Sequence, residues 1–215
     1  MTEPRSKRAK RAAAAAGIAG PAAFTGAWIV GSLRQTGHPA AEIQISGLAA
    51  ADARDPWIML TGFLVLGGCS VAFGAVLHDA LGGRARAGLA PRLIQGAGVL
   101  TIAAGLLRRD HVLLTSGSVS WHNHAHDVIS GVIYVDLVVA QALLVVRFGR
   151  DPGEGAWRPW RRLLLASTAA TAAILIAFAS DTSAPWAGVL QRVAVTIPLA
   201  AFAAVAVRLV RTLDG

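Results

Sequence analysis

Six apolar stretches, at about 12 to 33, 57 to 81, 92 to 108, 126 to 147, 163 to 180 and 186 to 207, constrain this chain more than any other feature. Each is close to the roughly 20 apolar residues that cross the hydrocarbon core of a bilayer. There the backbone must satisfy its own N–H and C=O groups, so each stretch is expected to be a helix; the alternation of a membrane barrel is absent. With 54% of 215 residues apolar and 15% charged, little remains for a separate soluble domain. The expected fold is all-α, a bundle of six transmembrane helices over 12–208, with a basic tail at 1–11 and a short tail at 209–215. The first stretch opens like a signal peptide, but its apolar run continues to Leu33 and reads as an uncleaved span.

Net charge is +8, carried by 18 Arg and two Lys. In a soluble chain that excess would point to nucleic acid; here its distribution points to sidedness, with a lipid bilayer as partner and no nucleic acid. Arg5, Lys7, Arg8, Lys10 and Arg11, then Arg84, Arg86 and Arg92, then Arg147, Arg150, Arg158, Arg161 and Arg162, and finally Arg208 and Arg211 place 15 charges on one side. Arg34, Arg54, Arg108 and Arg109 place four on the other. The positive-inside rule then puts both termini in the cytoplasm of a multi-pass protein of the cell membrane. Trp57, Trp121 and Trp186 at the outer helix ends, with Trp157 and Trp160 on the inner side, fit an aromatic belt. Cys69 is the single cysteine, so no intramolecular disulfide forms.

Glycines spread through the first three stretches, among them Gly17, Gly20, Gly26, Gly62, Gly67, Gly68, Gly74, Gly98 and Gly105, are expected to form close-packed helix faces. Pro21 and Pro198 are expected to kink or locally open the first and last helices.

The densest polar cluster runs from Ser118 to Asp127, S-V-S-W-H-N-H-A-H-D, just after Arg108, Arg109 and Asp110. If a helix begins near Trp121, His122 and His126 share a face and Ser130 follows one turn later. Two histidines at that spacing, with oxygen from Asp110 or Asp127, could grip a divalent metal such as zinc. Alternatively Trp121, His122 and Asn123 sit at the bilayer interface and hydrogen-bond loop backbone, or the cluster contacts a proton or substrate. Asp136 lies about 15 Å deeper than His126, near the bilayer centre, where a carboxylate marks a functional or partnered site. The wheel puts it within about 80° of both His122 and His126, as one polar seam, with Arg192 beside Gln191 as its expected partner.

Four motifs carry a resemblance that spans roughly residues 20 to 210: I-S-G-L-A-A-A-D-A-R-D-P (Ile45 to Pro56), R-R-D (Arg108 to Asp110), S-W-H-N-H-A-H-D-V-I-S-G (Ser120 to Gly131) and G-V-L-Q-R-V-A-V (Gly188 to Val195). In these the chain resembles an uncharacterised bacterial membrane family, domain of unknown function 998. The resemblance implies six membrane helices and marks Asp110, His122, His126, Asp127, Ser130, Gln191 and Arg192 as the matching polar positions; it supplies no activity. The expected role is a membrane protein with an outward-facing His/Asp site for a small ligand, lipid or proton. A metal-dependent intramembrane hydrolase using His122, His126 and an aspartate, and a proton-coupled transporter using Asp136, are the alternatives. A reporter fused after Gly215 is expected to be active only in its cytoplasmic form; activity on the outer side would reverse the orientation.

Overall fold

A computed structural model of the protein describes residues 5–82, 88–113, 118–150 and 157–214, so Arg84 and Arg86 of the sidedness reading lie outside the described residues. Among the described residues the regular elements are all helical: α1 Arg5–Arg34, α2 Pro56–Ala80, α3 Leu89–Leu106, α4 Trp121–Gly149, α5 Arg158–Ser180 and α6 Ala187–Asp214, with a short 3-10 turn at Ile45–Ala49. All six long helices are long and apolar enough to cross a membrane. α1 takes in the basic stretch from Arg5, and α6 runs through the expected tail to Asp214. α4 starts five residues before its apolar stretch because Ser120 caps it, its hydroxyl accepting from the Asn123 N–H. The histidine cluster is therefore helical. α1 and α6 continue through Pro21 and Pro198.

Each helix packs on its neighbours in sequence, and α6 returns to α1, which closes the six into a ring. The order is antiparallel: Lys10 pairs with Asp79 at 3.3 Å at one end of α1 and α2, and Arg34 with Asp55 at 2.7 Å at the other. The first and last described residues thus lie at the same end of the bundle. Close approach is concentrated between α2 and α3, where Gly67 and Gly98 face each other and a side chain on either would run into the other's carbonyl. Gly26 and Gly68, expected on packing faces, instead look into open space. One buried cluster, with Phe73, Leu77, Leu144, Leu164 and Val205, fills the half nearer the termini. A second, with Ile43, Leu48, Met59, Phe63 and Leu66, fills the other.

That second cluster includes the connection between α1 and α2, which composition reads as a surface loop. Residues 43–50 are all buried and fold inward as a plug over the end of the ring. A buried backbone with only one short 3-10 turn needs further partners for its polar groups, and the neighbouring segments supply them. Val189 N–H donates to Ala41 O at 3.2 Å and Ala51 N–H to Arg109 O at 2.9 Å, while Ile45 N–H donates to Gln191 Oε1. Arg192 Nη1 donates to Ala40 O and Ile43 O, each at 2.8 Å. Arg108 reaches Ala49 O at 3.2 Å and Ala50 O at 3.4 Å. Gly188 and Gly47 allow this contact, because a β-carbon at either would meet a carbonyl oxygen, that of Ile43 or Val112.

At this plug end Trp57, Trp121 and Trp186 are 63%, 74% and 59% exposed on the rim, where an aromatic belt belongs. Trp157, at the opposite end, turns inward instead: it stacks on Phe148 with ring centroids 4.5 Å apart and lies under Arg208.

Candidate functional site beneath the plug

Polar groups from the plug and α4 converge on Arg109, in the α3–α4 connection. This residue follows the end of α3 and is 2% exposed. Its Nη1 donates to Gln44 Oε1 at 3.0 Å and Ser46 Oγ at 3.4 Å, and its Nη2 lies 3.8 Å from Asp127 Oδ1. Burial pulls the guanidinium below its usual value, opposed first by Asp127 and then by Tyr134 and Asp110. From Asp127 the network continues through buried Asn123, whose Nδ2 donates to Asp127 Oδ2 at 3.0 Å and whose Oδ1 accepts from Asp110 N–H at 3.2 Å. Asp110 in turn accepts from Ser120 N–H at 2.6 Å and from the Ser120 hydroxyl at 2.9 Å.

The two histidines of the expected metal pair do different things. His122 Nδ1 lies 3.1 Å from Arg108 O and 2.9 Å from Ser120 Oγ, while its Nε2 is 3.7 Å from Asp110 Oδ1. It ties the start of α4 to loop backbone. His126 is 2% exposed, and its Nδ1 sits 2.8 Å from Ala104 O and 3.0 Å from Leu107 O. These belong to the last turn of α3, where carbonyls lack helical partners. Both neighbours are acceptors, so Nδ1 carries the proton and Nε2 is left as a lone pair, buried and without a partner. His122, His126 and Asp110 therefore do not converge, and among the described residues no three His, Cys, Asp or Glu side chains group as a metal site.

Asp136 and Arg192 do not pair. Arg192 is committed to the plug, with Nη2 donating to Ser32 Oγ at 2.9 Å and its guanidinium 5.4 Å from the Trp28 ring centre. Asp136 lies in the crease between α3 and α4 beside Gly96, and lines neither cavity described below. The polar seam expected from His122 through His126 to Asp136 is not formed. Of its three members, His126 alone borders the interior.

His126 separates two cavities. One, about 80 Å³, lies inside the ring and is mostly apolar, with Ser46, Ser130, Tyr134 and Gln191 among its polar lining. The other, about 580 Å³, is a cleft open to the bundle surface between α4 and α5, reached by Gln191 of α6, with Val135 and Val139 on its wall 60% and 40% exposed. Its wall near the plug carries Gln44, Ser46, Asp127, Ser130, Thr182 and Gln191; deeper in, it is lined by Val135, Val138, Val139, Leu175 and Phe178. A polar recess of about 210 Å³ at the plug end shares Gln44 and Thr182 with it, and Gln44 Nε2 donates to Thr182 O at 3.0 Å across that boundary. The family motifs mark Asp127, Ser130 and Gln191. Asn123 stands in the polar cluster and Ser46 in the first family motif, whereas Gln44 and Tyr134 carry no separate signal, each a single polar residue in an otherwise ordinary stretch.

The Asp110 carboxyl is held below its ordinary value chiefly by the Ser120 backbone N–H, and further by the Ser120 hydroxyl and by His122 and His111. A depressed carboxylate stabilises the fold above its unfolded value, near 3.8, and that contribution is lost as pH falls through the lower folded value. Thermal melts in detergent are expected to fall steeply below about pH 4 in the wild type. Asp110→Asn is expected to melt lower at neutral pH and to show a smaller acid drop; an acid limb identical to wild type would contradict this role.

No curated protein and no solved structure matches the chain significantly. The sequence model of the family described as "Protein of unknown function (DUF998)" matches residues 18–208, which take in the plug, the Arg109 network and the residues of the larger cavity. The chain belongs to that family.

Proposed function

We propose that the protein binds an amphipathic molecule in the cavity of about 580 Å³ between α4, α5 and α6. The observation that carries this reading is the division of the cavity wall. Hydrogen-bonding groups gather at the plug end, while Val135, Val138, Val139, Leu175 and Phe178 line the deeper part. Val139 lies 12 residues beyond Asp127 in α4, so the wall runs about 18 Å along the helix at 1.5 Å per residue. The volume falls in the range of roughly 300–1,000 Å³ typical of small-molecule sites. A molecule with a polar head at the plug and an apolar chain along α4 and α5 matches both regions.

The balance of Lys and Arg, 15 to four, supports placing the termini in the cytoplasm of a cell-membrane protein. The head-group end of the cavity then faces outward. Binding requires no bond-breaking step, and the described donors form no metal group on which the hydrolase reading could rest. The transporter reading rests on Asp136, which is set apart from the cavity.

Native mass spectrometry of protein released from lipid nanodiscs tests the proposal. The wild type is expected to retain one amphiphile per chain. Gly131→Leu with Ala179→Trp, which fill the cavity from α4 and α5, are expected to reduce retention at least about tenfold. A wild type that carries none, or a filled variant that retains as much, would sink the reading.

A further inference from the structure

The polar wall of this cavity is unequal in what it offers a ligand. Taking the cavity as the binding site, we infer that the head group of its occupant is a hydrogen-bond donor, an amine or a hydroxyl, and that anionic heads are excluded. Asp127 is the one charged residue among those lining the cavity, and its side chain is 46% exposed. One of its oxygens accepts from Asn123 at 3.0 Å and the other lies 3.8 Å from Arg109 Nη2. A carboxylate has about four acceptor positions, so capacity remains for a donor arriving from the cavity. The nearest positive charge cannot serve an anion: Arg109 is 2% exposed, does not line the cavity, and spends Nη1 on Gln44 and Ser46.

The remaining wall points the same way. His126 offers an anion no donor, since its Nδ1 proton is committed to the end of α3 and its Nε2 is buried out of contact with the cavity. Of the wall's amide groups, Gln44 Nε2 donates to Thr182 O, and Gln191 is hydrogen-bonded to the Tyr134 side chain and, through Oε1, to the Ile45 N–H. Ser46, Ser130 and Tyr134 hydroxyls can serve either role, so they accommodate a donor head without selecting an anionic one. A phosphate or carboxylate head would meet the Asp127 charge and lose its hydration. An ammonium or hydroxyl head would donate to the Asp127 carboxylate.

Three probes of one chain length, each with a diazirine in the chain and bearing a primary amine, a hydroxyl or a phosphate monoester, separate the possibilities. The protein is photolabelled in zwitterionic nanodiscs, and modified peptides of α4 and α5 are counted by mass spectrometry. Amine and alcohol are expected to label the cavity wall at least about tenfold more than phosphate, the size of effect one charge-assisted hydrogen bond supplies. Asp127→Asn is expected to narrow that ratio and Asp127→Lys to turn it toward phosphate. Equal labelling by the three heads in the wild type would overturn the head-group inference while leaving the amphiphile site in place. Labelling of the cavity wall by none of them would overturn both. The wild-type panel decides the matter even if a variant fails to fold.

Discussion

Guanidinium groups holding the backbone of a buried connection that runs outside the six long helices are the interaction on which the rest of this structure depends. Residues 43–50 lie inside the end of a helical ring, where unpaired carbonyls carry a cost of several kcal/mol each in an apolar medium. Arg192 and Arg108 supply donors to the carbonyls of Ala40, Ile43, Ala49 and Ala50, and Arg109 binds the side chains of Gln44 and Ser46. Arginine suits this task because it offers five N–H donors in a planar fork and keeps its charge when buried. Lysine, a compact and more strongly hydrated point charge, could not serve two carbonyls so well.

The same contacts shape the site. Arg109 is a charge taken out of water, and such a charge is tolerated only when paired and hydrogen-bonded. Its carboxylate, Asp127, is held in turn by Asn123, which reads the Asp110 backbone, while Asp110 fixes Ser120 at the start of α4. A chain of polar contacts thus joins the plug to the α3–α4 connection and sets where α4 begins. The unoccupied acceptor capacity of Asp127, the His126 ring and the cavity between α4, α5 and α6 are consequences of that arrangement.

The six spans were legible because apolar length in a bilayer leaves the backbone few alternatives. The helix at His122 to Asp127 was half legible: the spacing put His122 and His126 on one face, but the wheel could not tell that one histidine closes the carboxyl end of α3 while the other binds loop backbone. The plug was not legible. Ser46, Gly47, Ala49 and Ala50 are small, and no apolar run announces burial; what buries the plug is the reach of arginines 58 to 149 residues away in the chain. Arg108 and Arg109 counted as loop charges for sidedness, and that count conceals a buried role. Arg192 was expected to neutralise Asp136 because both lie in apolar helices, yet the plug carbonyls are nearer its position near the start of α6. Gly26 and Gly68 show the same limit, since composition marks small residues without saying which face meets a neighbour.

Hydrogen–deuterium exchange of residues 43–51 in the full chain, in nanodiscs, tests the central claim most directly. The amides of Ile45, Gly47, Ala50 and Ala51 all have acceptors within the fold. They are predicted to exchange at least about 100-fold more slowly than an open loop, and Arg192→Gln is predicted to release much of that protection. Exchange of this segment in the wild type at the rate of an unprotected loop would contradict the account.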